Sequence, residues 1–279
     1  MCMDGIMKNW LLKMDQPQCN QLMLQIQLFI SSQIESISPT GNEGQGEQSG
    51  ASPAHHYQPP TDLTGPEALI EEESFYKKLQ IEQGKKVREF TTAMTTQFLA
   101  HPFWQMPVNF MERALLLECI EKYILLKIKP KILIYKNSDL KLSQQLQTFQ
   151  FIIPKHYDIP YNVSPNLIYE CSKDFNLMNE FSSPRNKLIC ISNISVRLFN
   201  YIEQIQSKSA TIDQFMQLLT FIILKSNPQF LISNISYIEN YRSDELQLSA
   251  WGYFLANFRA SIESVYHLSP KLLNTGKEI

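Results

Sequence analysis

Five histidines and five cysteines are the residues from which a metal centre or a nucleophilic site would be assembled in this chain. The histidines are His55, His56, His101, His156 and His267, and none stands at ligand spacing from a cysteine or carboxylate. Cys2, Cys19, Cys119, Cys171 and Cys190 are far apart and odd in number, and no C-x-x-C occurs. That argues against a zinc ribbon or a redox pair. Cys119, Cys171 and Cys190 lie among apolar residues and read as buried free thiols of a reducing compartment. H-E-x-x-H, G-x-S-x-G and a P-loop are all absent. Gly44-Gln45-Gly46 lacks the following lysine of a phosphate loop. No metal, no cofactor and no bond-making enzyme chemistry is therefore expected. One carboxylate is singled out by its placement. Thr211 and Gln214 form a capping box, which puts Asp213 in the first turn of a helix. The helix dipole favours a carboxylate there by roughly 0.3–1 kcal/mol, so placement alone is satisfied by a structural role.

The elements that hold these residues are helical. At ~150 residues per domain, 279 residues make about two domains. Hydrophobic residues are 44% of the chain, enough for a core. A net charge of -2 and a pI of 6.2 argue against a nucleic-acid surface. Only 9 glycines argue against a turn-dense β fold. In residues 1–37, Leu22, Leu24, Ile26, Leu28 and Ile30 alternate as in a strand. Leu22, Ile26, Phe29 and Ile30 also fit helical spacing, and a short helix is the preferred reading. Residues 38–66 carry Pro, Gly and Ser and read as a linker, so 1–66 is taken as a flexible N-terminal region. No stretch is long and apolar enough to span a membrane, and no signal peptide is seen, so the chain reads as cytosolic.

From residue 67 the punctuation is that of helices. Glu71–Leu99 is one, with Gly84 as a possible break. Asn109 with Glu112 starts the next, and Pro130 ends it. Another lies near Asp139–Ile153. Ser164-Pro165 and Ser183-Pro184 each place Ser at an N-cap and Pro at the first helical position. Asn227-Pro228 stops the helix that begins at Thr211. A last helix over about 250–267 carries Trp251, Phe254, Leu255, Phe258, Ile262 and Val265 on its apolar face. The expected fold class is all-α. A helical bundle over 67–135 packs on a helical domain over 136–270.

Two stretches carry a family resemblance. One is Ile212-Asp213-Gln214-Phe215 through Phe221-Ile222-Ile223-Leu224-Lys225-Ser226-Asn227-Pro228, then Ser233-Asn234-Ile235-Ser236-Tyr237-Ile238. The other is Gly252-Tyr253-Phe254-Leu255-Ala256-Asn257-Phe258. Together they closely resemble the vacuolar-protein-sorting-nine (Vps-nine) domain. Ile153-Pro154-Lys155-His156-Tyr157-Asp158-Ile159 and Ser183-Pro184-Arg185-Asn186-Lys187-Leu188 agree with it, and the likeness covers roughly 110–268.

That family activates Rab-five-class small GTPases by nucleotide exchange. The resemblance implies an exchange factor acting in endocytic traffic, in the cytoplasm and recruited to early endosomes. It implies membrane association only through partners, and no nucleic acid. The family's essential acidic residue matches Asp213, and its functional tyrosine matches Tyr253. Asn257 keeps the family's asparagine, and the resemblance places Asn227, Pro228 and Asn257 with Gln217 and Ala256 among the GTPase-binding residues. Two GTPase-facing positions depart: Gln217 stands where the family has proline, and Ala256 where it has threonine. Ser249-Ala250-Trp251 replaces the usual Gly-Glu. A carboxylate brought near the phosphate site repels the β-phosphate and pairs with the lysine left behind. That is the differential affinity an exchange factor needs. Gln217 and Ala256 motivate an alternative: a catalytically weak or inactive scaffold of the same fold that binds a Rab or another trafficking protein.

Overall fold

The computed structural model describes residues 3–37, 66–104, 110–128, 136–244 and 250–268. The described residues contain ten helices and no strand, an all-α fold. They are α1 (Met3–Met14), α2 (Asn20–Ile37), α3 (Pro66–Ala100), α4 (Phe110–Ile128), α5 (Lys136–Thr148), α6 (Pro165–Glu180), α7 (Pro184–Gln206), α8 (Ile212–Ser226), α9 (Leu231–Tyr241) and α10 (Ala250–Tyr266). They divide into two compact units, Met1–Ile134 and Tyr135–Ile279.

In the first unit α4 is the hub, with α1, α2 and α3 packed against it. Leu117, Ile120, Ile124 and Leu125 of α4 are fully buried. Residues 3–37 are not a flexible region with one short helix. They form two helices separated by a turn at Pro17–Cys19. Side-chain burial decides the ambiguous alternation. Leu22, Ile26 and Ile30 are buried, whereas Leu24 and Leu28 are 55% and 61% exposed, a spacing of four and not of two. Trp10 packs on Phe98 and Tyr123 at 6.1 and 5.7 Å between centroids, and Phe29 stacks on Phe90 at 3.9 Å. Three aromatic contacts of this size hold segments that their sequence alone leaves marginal. The helix through Gly84 is unbroken, because packing on α4 outweighs the ~1 kcal/mol that glycine costs in a helix. Residues 38–65 and the cap at Asn109 lie outside the described residues.

The second unit is built around α8. Leu218, Leu219, Phe221, Ile222, Ile223 and Leu224 are all buried, so this half of α8 is apolar on every side. The hairpin of α6 and α7 covers part of it, and α10 and α5 cover the rest. α5 ends at Thr148, short of the expected Ile153, and a 3-10 turn at Pro154–Tyr157 packs against α8 instead. Pro165 and Pro184 begin their helices as expected. Ser164 caps α6 through Asn166 N–H, but the Ser183 hydroxyl makes no cap bond.

Two buried charged groups lock the helices of this unit together. Phe230 precedes α9 with no side-chain cap of its own. The carboxylate of Asp139, on α5, supplies it. It accepts from Ile232 N–H at 2.8 Å, from Ser233 N–H and from the Ser233 hydroxyl. Lys187, fully buried, donates to Met178 C=O at 2.8 Å and Asn234 Oδ1 at 2.5 Å, beneath the Tyr237 ring. Asn234 in turn donates to Asn179 and to Phe230 C=O, tying α9 to α6.

Candidate functional site at the start of α8

The loop from α7 to α8 is short and pinned at both ends. α7 stops at Ser207, left-handed with φ 54°, whose N–H returns to Glu203 C=O. α8 starts at Thr211. Its hydroxyl accepts from Gln214 N–H, and its own N–H donates to Gln214 Oε1 at 3.0 Å. The remaining end of that amide, Gln214 Nε2, donates to Gln206 Oε1 at 3.0 Å. One side chain thus closes the cap and ties α8 to the last residue of α7. The capping box was legible as a motif; the tether to Gln206 was not, because its partners stand eight positions apart across a turn.

Asp213 lies within this pinned turn. It is exposed and has no hydrogen bond or ion pair among the described residues. The capped backbone fixes the turn that carries it, the helix dipole favours its charge, and the carboxylate is open to a cation from outside. Two residues on, Phe215 turns inward and begins an aromatic ladder. It stacks on Phe199 of α7 at 4.4 Å with rings 4° from parallel. Phe199 meets Phe254 of α10 at 6.4 Å, and Phe254 meets Tyr253 at 5.8 Å. Tyr253, at the far end of the ladder, is 50% exposed. The ladder therefore connects the α8 turn that carries Asp213 to the α10 turn that carries Tyr253.

The other expected residues divide. Gln217 is half-buried one turn after Asp213, on the same face of α8, and its amide has no partner among the described residues. Ala256 is exposed on α10, close to the Tyr253 face. Asn257, one turn beyond Tyr253, is half-buried, and its enclosed Nδ2 has no hydrogen-bond partner among the described residues. These five residues lie on adjoining helices. Asn227 and Pro228 do not join them. They lie at the opposite end of α8, about 21 Å away along its axis at 1.5 Å per residue. There Asn227 is left-handed with φ 42°, accepts from Ser143 of α5 and closes the helix, and Pro228 is buried. Phe199, Phe254, Gln206 and Gln214 belong to the site and were not read as such from the sequence.

Burial pushes the thiols of Cys171 and Cys190 up to about 11, so both stay protonated near neutrality. Cys19 and Cys119 are also buried and free, and no cluster of metal-ligating side chains occurs among the described residues.

Residues 168–270 match the model of the Vacuolar sorting protein 9 (VPS9) domain. The chain is 28% identical over 143 residues to the vacuolar protein sorting-associated protein vps901 of Schizosaccharomyces pombe, covering 51% of this chain and 25% of that protein. It is 27% identical over 173 residues to the Rab5 GDP/GTP exchange factor of Homo sapiens, covering 58% and 35%. It is 28% identical over 200 residues to the vacuolar protein sorting-associated protein 9A of Arabidopsis thaliana, covering 67% and 38%. The chain therefore matches well under half the length of each of these relatives. With helices α6 to α10 placed as described, residues 168–270 of this chain are a VPS9 domain.

Proposed function

We propose that this chain is a guanine nucleotide exchange factor that promotes GDP release from a Rab5-class small GTPase in endocytic traffic. The observation that carries this reading is the state of Asp213: an exposed carboxylate with no partner among the described residues, in a capped and tethered helical turn joined through packed aromatics to the exposed Tyr253. A GTPase holds its nucleotide through a lysine and Mg²⁺. Asp213 competes for that lysine and repels the β-phosphate, so it favours the empty GTPase over the loaded one. Tyr253 offers an apolar ring to the switch regions and a hydroxyl for one hydrogen bond. The chain regulates a GTPase and itself makes or breaks no bond. No described helix is long and apolar enough to cross a membrane. Action from the cytoplasm, with recruitment to early endosomes through partners, accords with this role.

The test is release of a fluorescent GDP analogue from a panel of Rab GTPases, with the full chain as catalyst. Acceleration of a Rab5-class member is expected. Binding to a Rab without acceleration would overturn the exchange reading. It would favour the scaffold, for which the exposed Ala256 and the half-buried Gln217 supply the structural motive.

A further inference from the structure

A second concave surface lies between α6 and α7, with a volume of about 650 Å³. Four amide side chains line it: Asn166 on α6 and Asn193, Asn200 and Gln204 on α7. All four are exposed, and none makes a side-chain hydrogen bond among the described residues. The three on α7 are spaced by seven and then four residues, so they stand in one row along a single face. Leu167 and Val196 form an apolar floor between them, with Val196 48% exposed.

The charge of this groove is already neutralised. Arg197 is bound to Asp174 at 2.5 Å, and Glu170 to Lys173 at 2.6 Å. An incoming phosphate or carboxylate would have to displace Asp174 from Arg197. What remains on offer is a row of neutral groups, each with one carbonyl acceptor and two N–H donors. That set complements the alternating N–H and C=O of a polypeptide backbone that is not bonded to itself. A helix would leave the row unused, because its own backbone groups are already paired.

We infer that the α6–α7 groove is a docking site for an extended, uncharged peptide segment of a partner protein. Backbone groups are clasped by Asn193, Asn200 and Gln204, and small apolar side chains lie on Leu167 and Val196. From Asn193 to Gln204 the row runs about 17 Å at 1.5 Å per residue. An extended chain at about 3.4 Å per residue covers this with about five residues. Tyr201, also in the lining, is already engaged, accepting from Ser164 N–H at 2.9 Å and donating to Asn162 C=O. The site is separate from the GTPase-facing surface. Phe199, which carries the aromatic ladder, lies about a third of a turn around α7 from the amide row.

The probe is a displayed library of random peptides about twelve residues long, selected on the full chain. The triple variant Asn193→Ala, Asn200→Ala, Gln204→Ala serves as the counter-target. These side chains support no other part of the structure, so the variant keeps its fold, which its melting midpoint verifies. Selected peptides are then synthesised and titrated by fluorescence anisotropy. Expected are neutral peptides that bind the parent and Asp213→Ala equally and bind the triple variant at least about tenfold more weakly. N-methylation at alternate backbone positions should abolish their binding. Failure to recover any such peptide, equal binding to the triple variant, or peptides bearing phosphate or a run of acidic residues would each overturn the inference.

Discussion

Replacing Asp213 with Asn deletes one charge and little else. The carboxylate is exposed and unpaired within the described residues, so no internal bond is broken. The fold loses only the helix-dipole contribution, roughly 0.3–1 kcal/mol, while the Thr211–Gln214 box stays intact. For a unit of this size that lowers the melting midpoint by at most about 2–4 °C. The effect on exchange is far larger. Opposite charges at ~4 Å are worth roughly 4 kcal/mol at an effective dielectric of ~20. If desolvation offsets about half, roughly 2 kcal/mol of selective affinity for the empty GTPase disappears, a factor of about thirty. The assay is GDP-analogue release from the responsive Rab, with parent and variant at matched concentration and ionic strength. A variant that releases nucleotide within about twofold of the parent would refute the assignment of the charge to Asp213.

Three further outcomes follow from the same geometry. Gln206→Ala removes the tether to Gln214 but leaves the capping box, so exchange should fall by about threefold to tenfold with an unchanged melting midpoint. Gln206→Glu keeps an acceptor for Gln214 Nε2 and should restore most of the rate; failure of that rescue would argue against a positioning role. Asp139→Ala leaves the first donors of α9 unsatisfied in a buried setting, and urea unfolding should show a loss of about 2–4 kcal/mol. The raised thiols of Cys171 and Cys190 bind their protons more tightly in the folded chain than in the unfolded one. Their contribution is complete below the ordinary value of 9.0 and is lost as the pH climbs to about 11, so the urea midpoint should drop across that window. A flat midpoint there would show that these thiols are not desolvated.

Much of this architecture was legible from local pattern. The capping box at Thr211, the prolines that open α6 and α7, and the stop at Asn227-Pro228 depend on neighbouring residues only, and each appears where those residues place it. The ordered string of motifs around Asp213 and Tyr253 likewise carried the domain family, in accord with the match over 168–270. Other features depend on residues far apart in the chain. The helix at 20–37 was ambiguous because Leu22 to Ile30 satisfies two periods. Burial of Ile26 and exposure of Leu28 required α3 and α4 to be in place. Gly84 weakens a helix locally, and only packing overrides it.

The site shows the same division. The sequence determined that Asp213 opens a helix and that Tyr253 lies on another, since both facts follow from spacing along one element. It could not show that Asp213 lacks a partner, nor that Phe215, Phe199 and Phe254 bind the two helices into one surface. Those properties belong to distances between elements. They are decided by which faces the core buries, and that choice is made only when α7, α8 and α10 pack together.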